Sequence, residues 1–210
     1  MKKSTRYRTI EVLELLSGSV LPILFWLFLI FGFDAPYVAV LTVISAISHE
    51  FGHCIAISVF TGKDGRVRGH SSGFRIKRSE SVSYGKEIAI LLAGPTVNLV
   101  LFLLLCPFLD NLSGYLGTFA FINLATGISN LLPLEGYDGY GAISEIMRSF
   151  GRADLIKHLE CFSFILSIAV TFISLYLIDR FGEGFWIFGL FFFTVVSKVI
   201  SFGKYDIFGE

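Results

Sequence analysis

Short polar segments divide the chain between Leu16 and Phe202 into six apolar runs, each close to the ~20 residues a helix needs to cross a ~30 Å hydrocarbon layer. They cover approximately 16–33, 36–60, 88–109, 115–134, 159–178 and 184–202. Composition agrees: 54% of the residues are hydrophobic, 23 residues are Phe, and only 16% are charged, against about 25% in an ordinary soluble domain. In lipid the backbone must satisfy its own polar groups, which a helix does within one segment. The expected fold class is therefore all-α, a polytopic membrane bundle of about six transmembrane helices. Lys2, Lys3, Arg6 and Arg8 give the first run the flank of a signal peptide. Its apolar core is too long for one, and Asp34-Ala35-Pro36 is a poor cleavage site, so it reads as a retained helix.

The net charge is zero, with 17 basic and 17 acidic residues, and offers nothing to nucleic acid. The placement of the charges is more informative. Every Lys and Arg except Arg180 falls before the first run, between the second and third, between the fourth and fifth, or at the C-terminal end. By the positive-inside rule both termini are expected in the cytosol. Together with the small size, this one-sidedness suits a multi-pass protein of a bacterial cytoplasmic membrane. The cytosolic connections, 61–87 and 135–158, are shorter than the ~50 residues of a folded accessory domain, so residues 1–210 are expected to form one membrane-embedded domain. Cys54, Cys106 and Cys161 lie in apolar runs without a CxxC pair and read as packing residues.

The second run contains His49-Glu50-Phe51-Gly52-His53, an HExxH string. Two histidines four residues apart share one face of a helix and can grip one Zn²⁺, and the intervening glutamate can serve as general base. His53 lies seven residues from the cytosolic end of its run, about 10 Å at 1.5 Å per residue. Ionisable groups inside a span are costly and mark functional sites. A catalytic zinc usually takes three protein ligands and leaves a fourth position open. His70 and His158 lie at the wrong depth. The segment closing the fourth run, Asn130-Leu-Leu-Pro133-Leu-Glu135-Gly136-Tyr137-Asp138-Gly139, offers Asp138 on the same side as His53. Pro133 and the glycines interrupt the helix there, which is tolerated at membrane depth only where protein or a water-filled cavity satisfies the backbone.

These residues resemble the site-2 protease family of intramembrane zinc metalloproteases. His49-Glu50-Phe51-Gly52-His53, followed by Cys-Ile-Ala56, is similar to its HExGH helix. Asn130…Pro133…Asp138-Gly139 matches its NxxPxxxxDG spacing, and Ala93-Gly94-Pro95-Thr-Val-Asn98 is similar to its AGPxxN segment. The resemblance implies that His49, His53 and Asp138 ligate one Zn²⁺, that Glu50 activates water, and that Asn130 stabilises an oxyanion or positions substrate. Asn98 is implied in helix packing or in holding the substrate backbone. Glu135 departs from the family's usual apolar or proline residues and offers a competing carboxylate for metal or substrate. The chain would be a compact member, without PDZ or CBS domains. The implied activity is endopeptidase cleavage in or near a transmembrane segment, in the cytosolic half of the bilayer. The implied partners are a membrane protein or peptide substrate, the lipid bilayer and a regulatory membrane protein.

Residues 65–84 alternate Val67, Phe74 and Ile76 with polar residues and place glycines at the bends, which reads as a short β-hairpin after the second helix. Its edge could pair with an extended substrate; the rival reading is a basic loop on anionic lipid. Two other functions compete: a zinc protease that matures a secreted or bacteriocin-like peptide, and, from another class, a metal-cation transporter or a non-catalytic membrane scaffold. A transporter would spread its ligands along a path rather than gather them in HExxH and NxxPxxxxDG.

Overall fold

The computed structural model describes residues 31–62, 67–70, 73–76, 82–107 and 114–182, with scattered helical positions between 24 and 28 and between 185 and 199. Helix α1 spans Pro36–Thr61. A hairpin follows, β1 Val67–His70 and β2 Gly73–Ile76. Then come α2 Tyr84–Leu105, α3 Tyr115–Leu131, α4 Asp138–Ser149, a 3₁₀ turn Ala153–Leu155, and α5 Ile156–Phe181.

Proline in the first turn of α1 carries a φ already set for a helix and lacks an N–H that would have had no partner. The helix stops at Gly62, whose φ of 64° is left-handed and returns its N–H to the Ser58 carbonyl. Three helical segments of the described chain are long and apolar enough to cross a bilayer: Pro36–Thr61, Tyr84–Leu105 and Ala153–Arg180. They overlap the second, third and fifth expected spans, the third beginning and ending four residues earlier than the expected 88–109. The chain is an all-helical integral membrane bundle apart from its hairpin. The first and sixth expected spans lie largely outside the described residues.

The largest departures lie in and after the fourth span. The fourth span ends at Leu131 rather than 134, giving a 17-residue helix of about 25 Å. That is shorter than a ~30 Å hydrocarbon layer. Pro133 has no N–H to continue the ladder, so α3 ends within the bundle. The expected loop 135–158 instead holds α4, whose Gly139, Ala142 and Ser144 are buried while Ile146, Arg148 and Ser149 face outward. Only one face of α4 is apolar, so it carries no bilayer-length run. The hairpin forms in the expected place, antiparallel, with Val67 opposite Ile76 and Arg68 opposite Arg75.

Helix α2 is central, packing against α1, α3 and α4, while α5 packs on α4. The bundle is apolar outside and polar within. Val59, Phe51, Leu103, Leu104, Ile165 and Phe172 are exposed, whereas Ser45, Asn98 and Asn123 have no exposed surface at all. Lipid tails are as apolar as leucine, so helices in a membrane are held by close packing and hydrogen bonds rather than by a hydrophobic drive. Gly52 on α1 shows the packing: a Cβ there would lie 2.7 Å from the Ala93 carbonyl of α2.

Candidate metal centre

His49 and His53, one turn apart on α1, face α2, and each imidazole is held from behind by a hydrogen bond. His53 Nδ1 lies 2.8 Å from the Ile90 carbonyl, which can only accept. Nδ1 therefore carries the hydrogen, and Nε2 of the neutral ring presents a lone pair. His49 Nδ1 lies 2.8 Å from Asn98 Oδ1. The amide nitrogen of Asn98 faces the Ser45 carbonyl at 3.2 Å, an obligate acceptor, so its oxygen is the atom turned toward His49. His49 Nε2 is thus a lone-pair donor too.

The third member arrives from the segment after α3. Beyond Leu131 the chain makes a tight turn: the Leu134 N–H reaches the Leu132 carbonyl at 2.8 Å and the Tyr137 N–H the Leu134 carbonyl at 2.9 Å. Leu134 is fully buried, and Gly136 takes a φ of 96°, a backbone state that costs a side-chain-bearing residue far more. The Glu135 N–H donates to Ser163 Oγ of α5 at 2.6 Å. The turn delivers Asp138 as the first residue of α4, where a carboxylate suits the helix dipole. Tyr137, just before it, stacks on Phe191 with ring centres 5.9 Å apart.

Asp138 Oδ2 lies 3.0 Å from His49 Nε2 and 3.2 Å from His53 Nε2, and the two Nε2 atoms are 3.1 Å apart. These separations would be ion pairs if the rings held a second proton. With both rings neutral, Nε2 has no hydrogen to give, and Oδ2 is buried without another hydrogen-bond donor. Three electron-pair donors converge with nothing between them to share. A cation resolves that arrangement. Tetrahedral zinc with bonds of about 2.0–2.2 Å sets its ligands about 3.3 Å apart, and the observed triangle is within a few tenths of this. Space is provided by Gly94, where a Cβ would overlap His53 Nε2 and lie 2.8 Å from His49 Nε2. The two imidazoles and one carboxylate fit Zn²⁺.

Each residue expected from the sequence has a definite place. His49, His53 and Asp138 form the one group of potential metal ligands among the described residues. Glu50, half-buried, follows His49 on the same turn, and the groups acting on it electrostatically are His49, His53 and Asp138. Asn98 is fully buried against His49. Asn130 turns its amide nitrogen to the Thr126 carbonyl, 3.0 Å away in its own helix. Glu135 stays outside the ligand group. Sequence reasoning missed Ser45, Asn123 and Ser163, all buried and hydrogen-bonded. Their only signal was polarity within apolar runs, which serine shares with many packing positions.

Fold and site together define a class: a helical integral membrane protein with a buried His-His-Asp group suited to a metal ion. The fold is similar to that of a solved structure, the Site-2 Protease from Methanocaldococcus jannaschii, with a TM-score of 0.59 and 18% sequence identity over 84% of each chain. No family model matches the sequence, and no curated protein does. The chain thus resembles site-2 protease in overall fold as well as in its three motifs.

Proposed function

We propose that this protein is a zinc-dependent intramembrane endopeptidase that cuts a transmembrane or membrane-associated substrate within the bilayer. The observation that carries the reading is the close triangle of His49 Nε2, His53 Nε2 and Asp138 Oδ2, beside a glutamate on a membrane-spanning helix. His49, His53 and Asp138 would hold the zinc. Bound there, zinc supplies Lewis-acid polarisation of a water and of the scissile carbonyl.

The protein's own groups carry the rest. The Glu50 carboxylate takes a proton from the attacking water and returns it to the leaving amide nitrogen. Asn130 Nδ2 has a second hydrogen besides the one given to Thr126, and donates it to the developing oxyanion. The exposed apolar exterior keeps the site at membrane depth: His53 is eight residues before the end of α1, about 12 Å of helix. The positive-inside rule supports a cytosolic location for that end of α1 and for both termini, and the small one-sided chain suits a bacterial cytoplasmic membrane. The chain acts as a single membrane-embedded unit.

The experiment is metal analysis of the detergent-purified protein, paired with cleavage of reconstituted transmembrane reporter peptides. About one zinc per chain and chelator-sensitive cleavage are expected. A well-folded protein that takes up no zinc would overturn the catalytic reading and leave a membrane scaffold.

A further inference from the structure

Behind the ligand triangle lies a set of buried amides that the catalytic reading does not use. Asn98 on α2 gives its oxygen to His49 Nδ1 at 2.8 Å. Its nitrogen points to Asn123 Oδ1 of α3 at 3.0 Å, to Ser45 Oγ of α1 at 3.1 Å and to the Ser45 carbonyl at 3.2 Å. Asn123 in turn donates from Nδ2 to the Phe119 carbonyl at 2.8 Å, and its oxygen also receives Ser45 Oγ at 3.1 Å. Asn98, Asn123 and Ser45 have no exposed surface.

The chain of bonds has a direction, and main-chain atoms fix it. The Phe119 carbonyl can only accept, so the Asn123 amide nitrogen faces it and its oxygen faces Asn98. That oxygen demands a donor, so Asn98 turns its nitrogen toward it and its own oxygen toward His49. His49 must then carry hydrogen on Nδ1 and leave Nε2 bare. Each link removes the ambiguity of the next. We infer that Asn123, Asn98 and Ser45 form an amide relay, anchored on the Phe119 carbonyl of α3 and the Ser45 carbonyl of α1, that sets the tautomer and ring orientation of His49 for metal binding. These are positioning residues, and Asn123 acts without touching any ligand atom of the triangle.

Two features favour a directing role over simple helix adhesion. Adhesion needs hydrogen bonds but no particular polarity, whereas here every bond is oriented from a fixed carbonyl outward. The relay also joins α1, which carries both histidines, to α3, whose C-terminal turn leads to Asp138. His53 needs no such relay, because its Nδ1 rests directly on the Ile90 carbonyl. It is a built-in control.

The inference rests on the metal reading for its purpose but not for its test. In the full-length, zinc-free protein labelled with [¹⁵N]histidine, ring-nitrogen spectra at pH 8 are expected to show His49 and His53 both with hydrogen on Nδ1. Asn123→Leu and Asn98→Leu are expected to turn His49 into a tautomer mixture while His53 keeps its signal. Zinc affinity, read by chelator competition, is expected to fall about 10–100-fold in both variants, the usual cost of losing an outer-shell partner. A wild-type His49 protonated on Nε2 would overturn the relay even if neither variant folds. So would variants with unchanged His49 tautomer and zinc affinity. A wild type with His49 protonated on Nδ1 that binds no zinc would support the relay while removing the metalloprotease reading.

Discussion

Gly94 of α2 stands directly against the ε-nitrogen of His53, so close that a single methyl group on its Cα would overlap that atom. The same methyl would sit 2.8 Å from Nε2 of His49. The space in which the two imidazoles meet is thus the space of a missing side chain. Gly94→Ala should leave the helices assembled, since alanine favours helix more than glycine, but should abolish stoichiometric zinc binding. Metal analysis alongside circular dichroism checks this; full zinc occupancy in the alanine variant would show that α2 does not border the metal.

Gly139 plays the corresponding part for Asp138. A Cβ at Gly139 would overlap the Leu131 carbonyl and approach the Leu132 carbonyl to 2.8 Å, backbone atoms that cannot swing away. Gly139→Ala must therefore move the start of α4 away from the end of α3, and Asp138 with it. Zinc affinity should drop by at least tenfold while the His49–Asn98 hydrogen bond between α1 and α2 survives. Competition with a zinc-sensitive dye would expose the error if affinity stayed at the wild-type level.

How far these features could be read from the sequence depended on how local their cause was. That His49 and His53 share one helix face follows from helical spacing alone, and α1 spans Pro36–Thr61 where 36–60 was expected. Asp138 was reachable only through the joint pattern of Asn130, Pro133 and Asp138-Gly139, because its approach to α1 is a long-range contact. Helix α4 was missed: its polar outer face gave no bilayer-length hydropathy, and a 12-residue amphipathic helix looks like a connection in such a scan. Asn98 was legible as a polar residue in a span but not as the partner of His49, since nothing in one strip of sequence says which neighbour it will face. Ser163, fixing a turn 28 positions earlier, showed only as a polar residue in an apolar run, with nothing local to say what it would hold.

Glu50 separates binding from chemistry. It adjoins the ligand triangle without belonging to it. Glu50→Gln keeps the volume and loses the proton acceptor, so zinc content should remain near one per chain while cleavage falls by roughly 10²–10⁴-fold. Reporter cleavage and metal analysis on the same preparation make the test. Retained cleavage would remove Glu50 from the proton-transfer role.

Ser163 holds the turn that delivers Asp138. Its hydroxyl is the acceptor for the Glu135 N–H at 2.6 Å, with 1% of Ser163 exposed. Ser163→Ala strips that N–H of its partner, a loss of about 1–3 kcal/mol where water cannot replace it. Ser174, also buried on α5, bonds only the Thr171 carbonyl of its own helix, at 2.8 Å, among the described residues. Ser174→Ala should therefore change the thermal midpoint little, while Ser163→Ala lowers it by several degrees. Equal midpoints for the two variants in the same detergent would mean that the turn is held without Ser163.

The choice of third ligand is the sharpest remaining test, because two carboxylates lie three residues apart on the same turn. Geometry favours Asp138: its Oδ2 is the atom 3.0 Å from His49 Nε2, buried and without a hydrogen-bond donor. Glu135 belongs to the turn, its N–H tied to α5. Asp138→Asn replaces an anionic ligand with a neutral, weaker one and should reduce zinc affinity by more than the roughly 10–100-fold typical of outer-shell losses. Glu135→Gln should retain about one zinc per chain at wild-type affinity. Zinc lost from the Glu135 variant and kept by the Asp138 variant would reverse the assignment. Such a result would require the turn to unwind by most of a helical turn on metal binding, and would leave His49 and His53 as the fixed half of the site.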